Sequence, residues 1–420
     1  GNTTTYHYEG TEAVPASVTD GDGYATSYVY DAMNRTLSET DALGHVKRYA
    51  YNKRGWNISE TDGEGGTETY TFDKAGNVTA ITDKNGKKAE FTYDSAYNLT
   101  EGKDALGNTL TYTYDGNYNI LSETDAQGNT TTYEYDSRDR LVKEADALGN
   151  VQGYVYDAKG NLTEYTDKRG SKTQFSYDTV LDQALTKTDA KGNTIAYQYD
   201  NDGRVTGVIY ADGTTVSYTY DGAGRLSSQA DQKGLVTSLS YDGAGNLSAV
   251  QDDESRRYAY SYNGRNLITG ETDPLGYTFS YGYDGAGNLS AATDQNGNAT
   301  IYGYDKADRL VTILDALEGK TSYTYDKAGN LLSITDPEGA VTAYEYDAIG
   351  ELTRAVDALG GETKFVYDSL GQVTQMTDAG QGLTTYRYNA LGQLISSTDV
   401  LGRTTEQAFD AAGNLLKVTC

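Results

Sequence analysis

The chain has 420 residues, with 61 acidic against 34 basic residues and a formal charge of −27. That balance excludes the clustered Lys and Arg that nucleic-acid phosphates require, and it argues equally against insertion at an anionic membrane surface. Hydrophobic residues make up 37%, with 40 tyrosines against six phenylalanines; this is no material for a thick apolar core, and no run reaches the roughly 18 apolar residues of a membrane-spanning helix.

Read from the N-terminus, one feature dominates. A Tyr-Asp pair or a close substitute stands at Tyr8-Glu9, Tyr30-Asp31, Tyr51-Asn52, Phe72-Asp73, Tyr93-Asp94 and Tyr114-Asp115, and continues to Tyr388-Asn389 and Phe409-Asp410. Of the 19 spacings between these 20 marks, 17 are 21 residues and two are 22, from Tyr8 to Tyr30 and from Tyr177 to Tyr199. The extra residues fall near Pro15 and Leu181-Asp182 and read as turn insertions that keep strand register. No linker or compositional shift breaks the period, so residues 1–420 are expected to form a single continuous array. Gly1-Asn2 matches Gly128-Asn129, midway through a repeat, which predicts that the array is a segment of a longer parent.

Residues 284–304 serve as the template repeat. Asp284 to Gly287 has Asp first and Gly fourth, the chemistry of a type I turn whose last residue takes positive φ. Leu289 to Thr293 then alternates, Asp294 to Gly297 repeats the turn, and Thr300 to Tyr304 alternates again. Each repeat is thus a two-stranded hairpin. The predicted fold is all-β: about 20 tandem antiparallel hairpins of 21 residues in a continuous coiled sheet, hollow spiral or shell.

The tyrosines fall in two columns that a strand sends to one face. The residue before each Asp mark is Tyr 18 times and Phe twice; the residue two earlier is Tyr 15 times, with Phe91, Phe175, Phe365, Leu239 and Gln407 completing the column. The central part of this expected structural ladder comprises Tyr112, Tyr114, Tyr133, Tyr135, Tyr154, Tyr156, Tyr197, Tyr199, Tyr218 and Tyr220, then Tyr281, Tyr283, Tyr302, Tyr304, Tyr323, Tyr325, Tyr344 and Tyr346. A complementary column five residues after each Asp includes Leu99, Ile120, Leu141 and Leu162 and should pack beside it. Because a dry core would strand dozens of phenolic hydroxyls, the rings are expected to border a hydrated lumen or groove. Tyrosines outside the columns, namely Tyr97, Tyr118, Tyr165, Tyr210, Tyr258 and Tyr277 together with Tyr24, are the candidates for ligand contact, above all with sugars.

No catalytic, metal or cofactor-binding residue is assigned. His7 and His45 read as exposed strand residues, and the turn aspartates recur too regularly to nominate a glycosidase pair. Their place is that of Asx caps, and neither an EF-hand loop nor a calcium-binding nonapeptide is present. The lone Cys420 excludes an intrachain disulfide framework.

The strings Tyr325-Asp-Lys-Ala-Gly-Asn-Leu331 and Thr335-Asp-Pro-Glu-Gly-Ala-Val-Thr-Ala-Tyr-Glu-Tyr-Asp347 resemble the YD repeats of Rhs proteins, which also occur in bacterial wall-associated proteins, toxin-complex shells and teneurins. The resemblance covers essentially the whole chain. It implies a ribbon spiralling into a cocoon, a large secreted or surface-exposed bacterial parent, and in many members an enclosed C-terminal toxin domain. The Arg-, Tyr- and Pro-rich core segment with its aspartyl self-cleavage site has no counterpart here, where Pro occurs three times. The expected function is therefore a non-catalytic scaffold or shell segment, whose partners are the rest of the parent polypeptide and an enclosed effector. The second reading is a carbohydrate-binding adhesion module that meets surface glycans.

Overall fold

A computed structural model describes residues 2–10 and 13–420; Gly1 of the Gly1-Asn2 match, and Thr11 and Glu12 ahead of Pro15, lie outside the described residues. The described residues form 40 strands and no helix, in one antiparallel sheet. After two three-residue strands, Thr5–His7 and Ser17–Thr19, strands alternate between six residues, as in Ala299–Tyr304, and five, as in Leu289–Thr293. The chain divides into two compact units, Gly1–Glu90 with Leu239–Glu362, and Phe91–Ser238 with Thr363–Cys420.

Two hairpin connections alternate along the ribbon, and both close on an aspartate. In the turn after a Thr, Gly128 N–H donates to the Asp125 carbonyl (3.0 Å) and Asp125 N–H to the Asn129 carbonyl (3.0 Å). The Asp125 Oδ1 meanwhile accepts the backbone N–H groups of Gln127 and Asn129, each at 2.9 Å. Turn donors that the ladder cannot reach are thereby satisfied from within five residues. Gly128 has φ 84°, which only glycine adopts without steric cost. The flanking threonines close the hairpin, with Thr124 and Thr130 paired in register and their hydroxyls 2.8 Å apart.

The turn after a Tyr has the same bonds plus one irregularity. Thr113 pairs with Ser122 while Tyr114 pairs with Ile120, so Leu121 is bulged out, and the same shift recurs at Tyr156, Tyr220 and Tyr325. A bulge increases the right-handed twist of the strand locally. The insertion at Leu181-Asp182 is absorbed in this turn. Ser176 still pairs with Thr186 and Tyr177 with Ala184.

Along Thr67–Phe72, burial alternates strictly, with Glu68, Tyr70 and Phe72 partly covered and the threonines exposed. Among the described residues only Ala80 and Ala249 are buried apolar side chains, at 4% and 2% exposure. Covering is thus shared thinly along the ribbon instead of concentrated in a centre.

Tyr97 and Tyr118 occupy the fourth turn position and are held at φ 70°, each 62% exposed. A side chain in that left-handed region costs about 1–2 kcal/mol, of which glycine's greater unfolded-state entropy returns about 0.5–1 kcal/mol. The double substitution Tyr97→Gly, Tyr118→Gly should therefore raise the urea midpoint, for a net gain on the order of 1 kcal/mol. A lowered midpoint would mean that these rings make contacts worth more than the strain.

Candidate functional site

The column next to the Asp marks has a definite task. Tyr114 Oη donates to the Leu99 carbonyl at 2.7 Å, Tyr156 to Leu141 at 2.9 Å, Tyr199 to Ala184 at 2.8 Å and Tyr220 to Val205 at 2.7 Å. Tyr283, Tyr304 and Tyr325 do the same to Ile268, Leu289 and Leu310 at 2.8, 2.9 and 2.8 Å. The acceptor always lies 15 residues back. Backbone pairing of the hairpin runs from Glu101–Thr111 to Lys103–Thr109 and stops short of Leu99, and the phenol donates to the carbonyl beyond that limit. These hydroxyls therefore bond to the protein's own backbone, where the sequence reading looked to water in a lumen or groove. Tyr135 and Tyr346 sit opposite Leu141 and Leu352 across the bulge. In the other column Tyr112, Tyr133, Tyr197 and Tyr218 face Glu123, Glu144, Val208 and Gln229. Tyr281, Tyr302, Tyr323 and Tyr344 face Ala292, Ile313, Ile334 and Ala355.

A second device was not foreseen. Four residues after the Asp mark stands a side chain that caps the tyrosine of the next repeat. Arg35 lies 4.8 Å over the Tyr51 ring, Arg140 4.8 Å over Tyr156, Arg204 4.9 Å over Tyr220 and Arg309 5.1 Å over Tyr325. Arg140 also donates from Nε to its own turn's Asp136 (2.8 Å) and from Nη1 to the Asp157 carbonyl of the next turn (3.0 Å). One planar guanidinium thus joins a carboxylate, a carbonyl and an aromatic face. Where the capped ring is Phe72, the same slot holds Trp56, with ring centroids 5.2 Å apart. Elsewhere the slot is most often Asn, as at Asn119, whose Nδ2 donates to Asp115 Oδ2 at 3.0 Å. The signal was available as an Arg, Asn or Trp at a fixed offset from most of the marks.

The off-column tyrosines have separate surroundings. Tyr97 and Tyr118 are turn residues. Tyr165 packs at a tilt against Tyr154, with centroids 5.5 Å apart and planes at 42°, and donates to Gln152 Oε1 at 3.1 Å. Tyr210 replaces the turn Asp, accepting Gly213 N–H on its carbonyl at 2.9 Å. Tyr258 and Tyr277 are 43% and 48% exposed, and Tyr24 lies under Arg265, 4.6 Å from its guanidinium. Among the described residues, Tyr154–Tyr165 is the one ring-to-ring contact that includes a ligand candidate.

Electrostatically the two residue types diverge. The Arg140 hydrogen bond holds the Asp136 carboxyl down at about 2, and Asn119 lowers Asp115 in the same way. Burial pushes Asp146 up, but Lys168 at 2.8 Å and Asn150 outweigh it and the net shift is downward. Burial raises the phenols: Tyr49, which also donates to Glu39 at 3.0 Å, is pushed up to about 12.

Within the first unit, turns distant in sequence meet. Gly264 N–H and Arg265 Nε donate to the two oxygens of Asp22 at 2.6 and 3.0 Å, Lys306 N–H donates to Glu64 at 2.9 Å, and Asn85 Nδ2 donates to Asp326 at 2.9 Å. Each contact joins a turn that follows Thr to one that follows Tyr, about 242 residues on. The backbones touch at glycines, since a Cβ on Gly21 would overlap the Gly264 carbonyl and one on Gly63 the Lys306 carbonyl. In the second unit Arg169 and Asp410 form the corresponding pair at 3.7 Å. His7 is exposed, but His45 is largely covered at such a contact, with 18% of its side chain exposed. Sequence alone could not bring residues so far apart together.

These features define a class: a tandem β-hairpin scaffold whose aspartates and tyrosines are engaged by its own backbone. The sequence matches the Teneurin YD-shell family over residues 68–239 and 265–411, and the RHS Repeat family over 15–46 and 241–278. The chain belongs to the Teneurin YD-shell family. Its fold is similar to that of the Photorhabdus luminescens Tc holotoxin pore, with a TM-score of 0.62, 16% identity, and coverage of 94% of this chain and 26% of that one. It is also similar to TcdB2-TccC3, with a TM-score of 0.54, 16% identity, and coverage of 94% and 27%. The chain spans about a quarter of the length of these structures. No curated protein matches it.

Replacing Tyr156 by Phe removes one phenol–carbonyl bond while keeping the ring under Arg140, and should cost about 0.5–1.5 kcal/mol in denaturant unfolding; an unchanged midpoint would show the bond to be idle. The pH limbs carry opposite signs. Carboxylates lowered from 3.8 stabilise the fold above that value and cease to as pH falls toward about 2, the folded value of Asp136. Phenols raised from 10.0 stabilise it below pH 10 and cease to as pH rises through their folded values, about 12 at Tyr49. Thermal melts should be flat from pH 6 to 9 and fall on both sides. Absorbance at 295 nm should show phenolate forming later than in the unfolded chain, and coincident titrations would contradict the packing.

Proposed function

We propose that the chain is a wall segment of a non-catalytic YD-repeat shell in a bacterial secreted or cell-surface protein, and that the shell encloses or presents a C-terminal toxin or effector domain. The observation that carries this reading is the commitment of the repeated polar groups. Asp125 Oδ1 binds two turn amides, and Tyr114 and its counterparts bind carbonyls, so the residues that recur most often serve the wall itself. Membership of the YD-shell family supports the structural role, and the fold it shares with toxin-complex structures supports placement within a larger toxin assembly. The partners are then the remaining polypeptide of the parent and the enclosed domain.

The off-column tyrosines do not favour the sugar-binding alternative, because Tyr97 and Tyr118 are turn residues and Tyr165 is packed against Tyr154 and hydrogen-bonded. A parent polypeptide carrying these repeats and the segment after them should, under limited proteolysis, protect that segment far longer than the same segment expressed alone. Equal cleavage rates would overturn enclosure, and specific retention on a glycan array would shift the reading to adhesion.

A further inference from the structure

We propose that Asp41, His45 and Asp308 bind one divalent transition-metal ion of zinc-like chemistry, which pins together two turns of the first unit. One ligand atom from each residue lies within 4.8 Å of the others. His45 Nδ1 is fully buried and has no hydrogen-bond partner, although it lies 3.1 Å from Asp41 Oδ2 and 3.8 Å from Asp308 Oδ1. A buried ring nitrogen left unsatisfied is costly, and a cation between it and two carboxylates would satisfy all three.

The ligands are held in place from behind. Asp41 Oδ1 accepts the N–H groups of Leu43 and His45 at 2.9 and 2.8 Å, so the turn that orients the carboxylate also anchors the histidine and leaves Oδ2 aimed at the ring. Asp308 stands at φ 60° and accepts Asn288 Nδ2 at 3.0 Å. Such outer support is what fixes ligand geometry in metal sites.

Charge also leaves room for a cation. The three residues line a cavity of about 390 Å³ that also meets Asp20, Glu39, Lys47, Arg265 and Lys306. Arg265 is engaged by Asp20 and Asp22 at 3.6 and 3.0 Å, and Lys47 faces Glu39 at 3.9 Å. Among the described residues, Asp41 and Asp308 have ion-pair contact with His45 alone. Imidazole with two carboxylates selects zinc, cobalt or nickel over calcium and magnesium, which prefer all-oxygen shells, and three protein ligands leave a fourth position for water.

Protonation of His45 is the rival way to supply the missing positive charge, and a titration separates the two. Metal-stripped full chain is titrated with Co²⁺, followed by its d–d absorption, and with Zn²⁺, followed by calorimetry and melting temperature. Expected are one equivalent bound, a melting temperature that climbs with Zn²⁺ concentration, and no displacement by millimolar Ca²⁺. His45→Gln and Asp308→Asn, the latter keeping a residue that tolerates the left-handed backbone, should each weaken binding about tenfold or more while melting like the parent in chelator. No stoichiometric Co²⁺ spectrum in the unaltered chain would overturn the site. Equal affinity in His45→Gln would overturn it as well, by placing the ions on acidic turns elsewhere.

Discussion

Almost every hairpin of this chain closes on one side-chain oxygen, a carboxylate at most turns and an amide at Asn52, Asn263 and Asn389. A two-stranded unit of 21 residues cannot bury enough apolar surface to hold itself, and here even the assembled sheet buries little. What remains is local satisfaction of the backbone. The turn Asp takes two amides, the phenol at the far end of the hairpin takes the carbonyl beyond the ladder, and the slot residue clamps the next turn. Stability then adds up repeat by repeat through neighbouring contacts, as in other quasi-one-dimensional folds.

That constraint accounts for the acidity. A charge of −27 on a sheet would ordinarily argue for a cationic partner. Here the carboxylates of Asp31, Asp136 and Asp200 each meet an arginine at i+4, at 2.5, 2.6 and 2.7 Å, and the carboxylates of Asp94 and Asp125 meet backbone amides and an asparagine. Negative charge is a by-product of turn closure, repeated until it dominates the composition.

Much of the fold was legible because its determinants are local and repeat. Asp284 to Gly287 announces its turn, alternation announces the strands, and the 22-residue spacing alone assigns the insertion at Leu181-Asp182 to a turn. The bulge opposite Tyr114 was missed because it leaves the 21-residue spacing unchanged, and the phenol acceptors were missed because a carbonyl has no letter in a sequence. His45 reads as an exposed strand residue from its neighbours in sequence; it instead closes the turn ahead of Val46–Tyr51, and Asp308, 3.8 Å away, comes from a part of the chain that no local pattern links to it.

The meeting of turns about 242 residues apart involves unlike partners: the Thr-side turn at Asp20–Gly23 rests on the Tyr-side turn at Asn263–Asn266, and the turn at Asp62–Gly65 on that at Asp305–Asp308. Such an edge contact is head-to-tail, and it lacks the self-complementarity by which a two-fold pair brings growth to a stop. Covering one Thr-side edge necessarily creates another. Leu43, against the next winding, is 47% exposed, whereas its equivalents Leu275, Leu317 and Leu359 are 81%, 91% and 97% exposed. Contacts of this kind give the edge a direction, with unlike turns presented on its two sides.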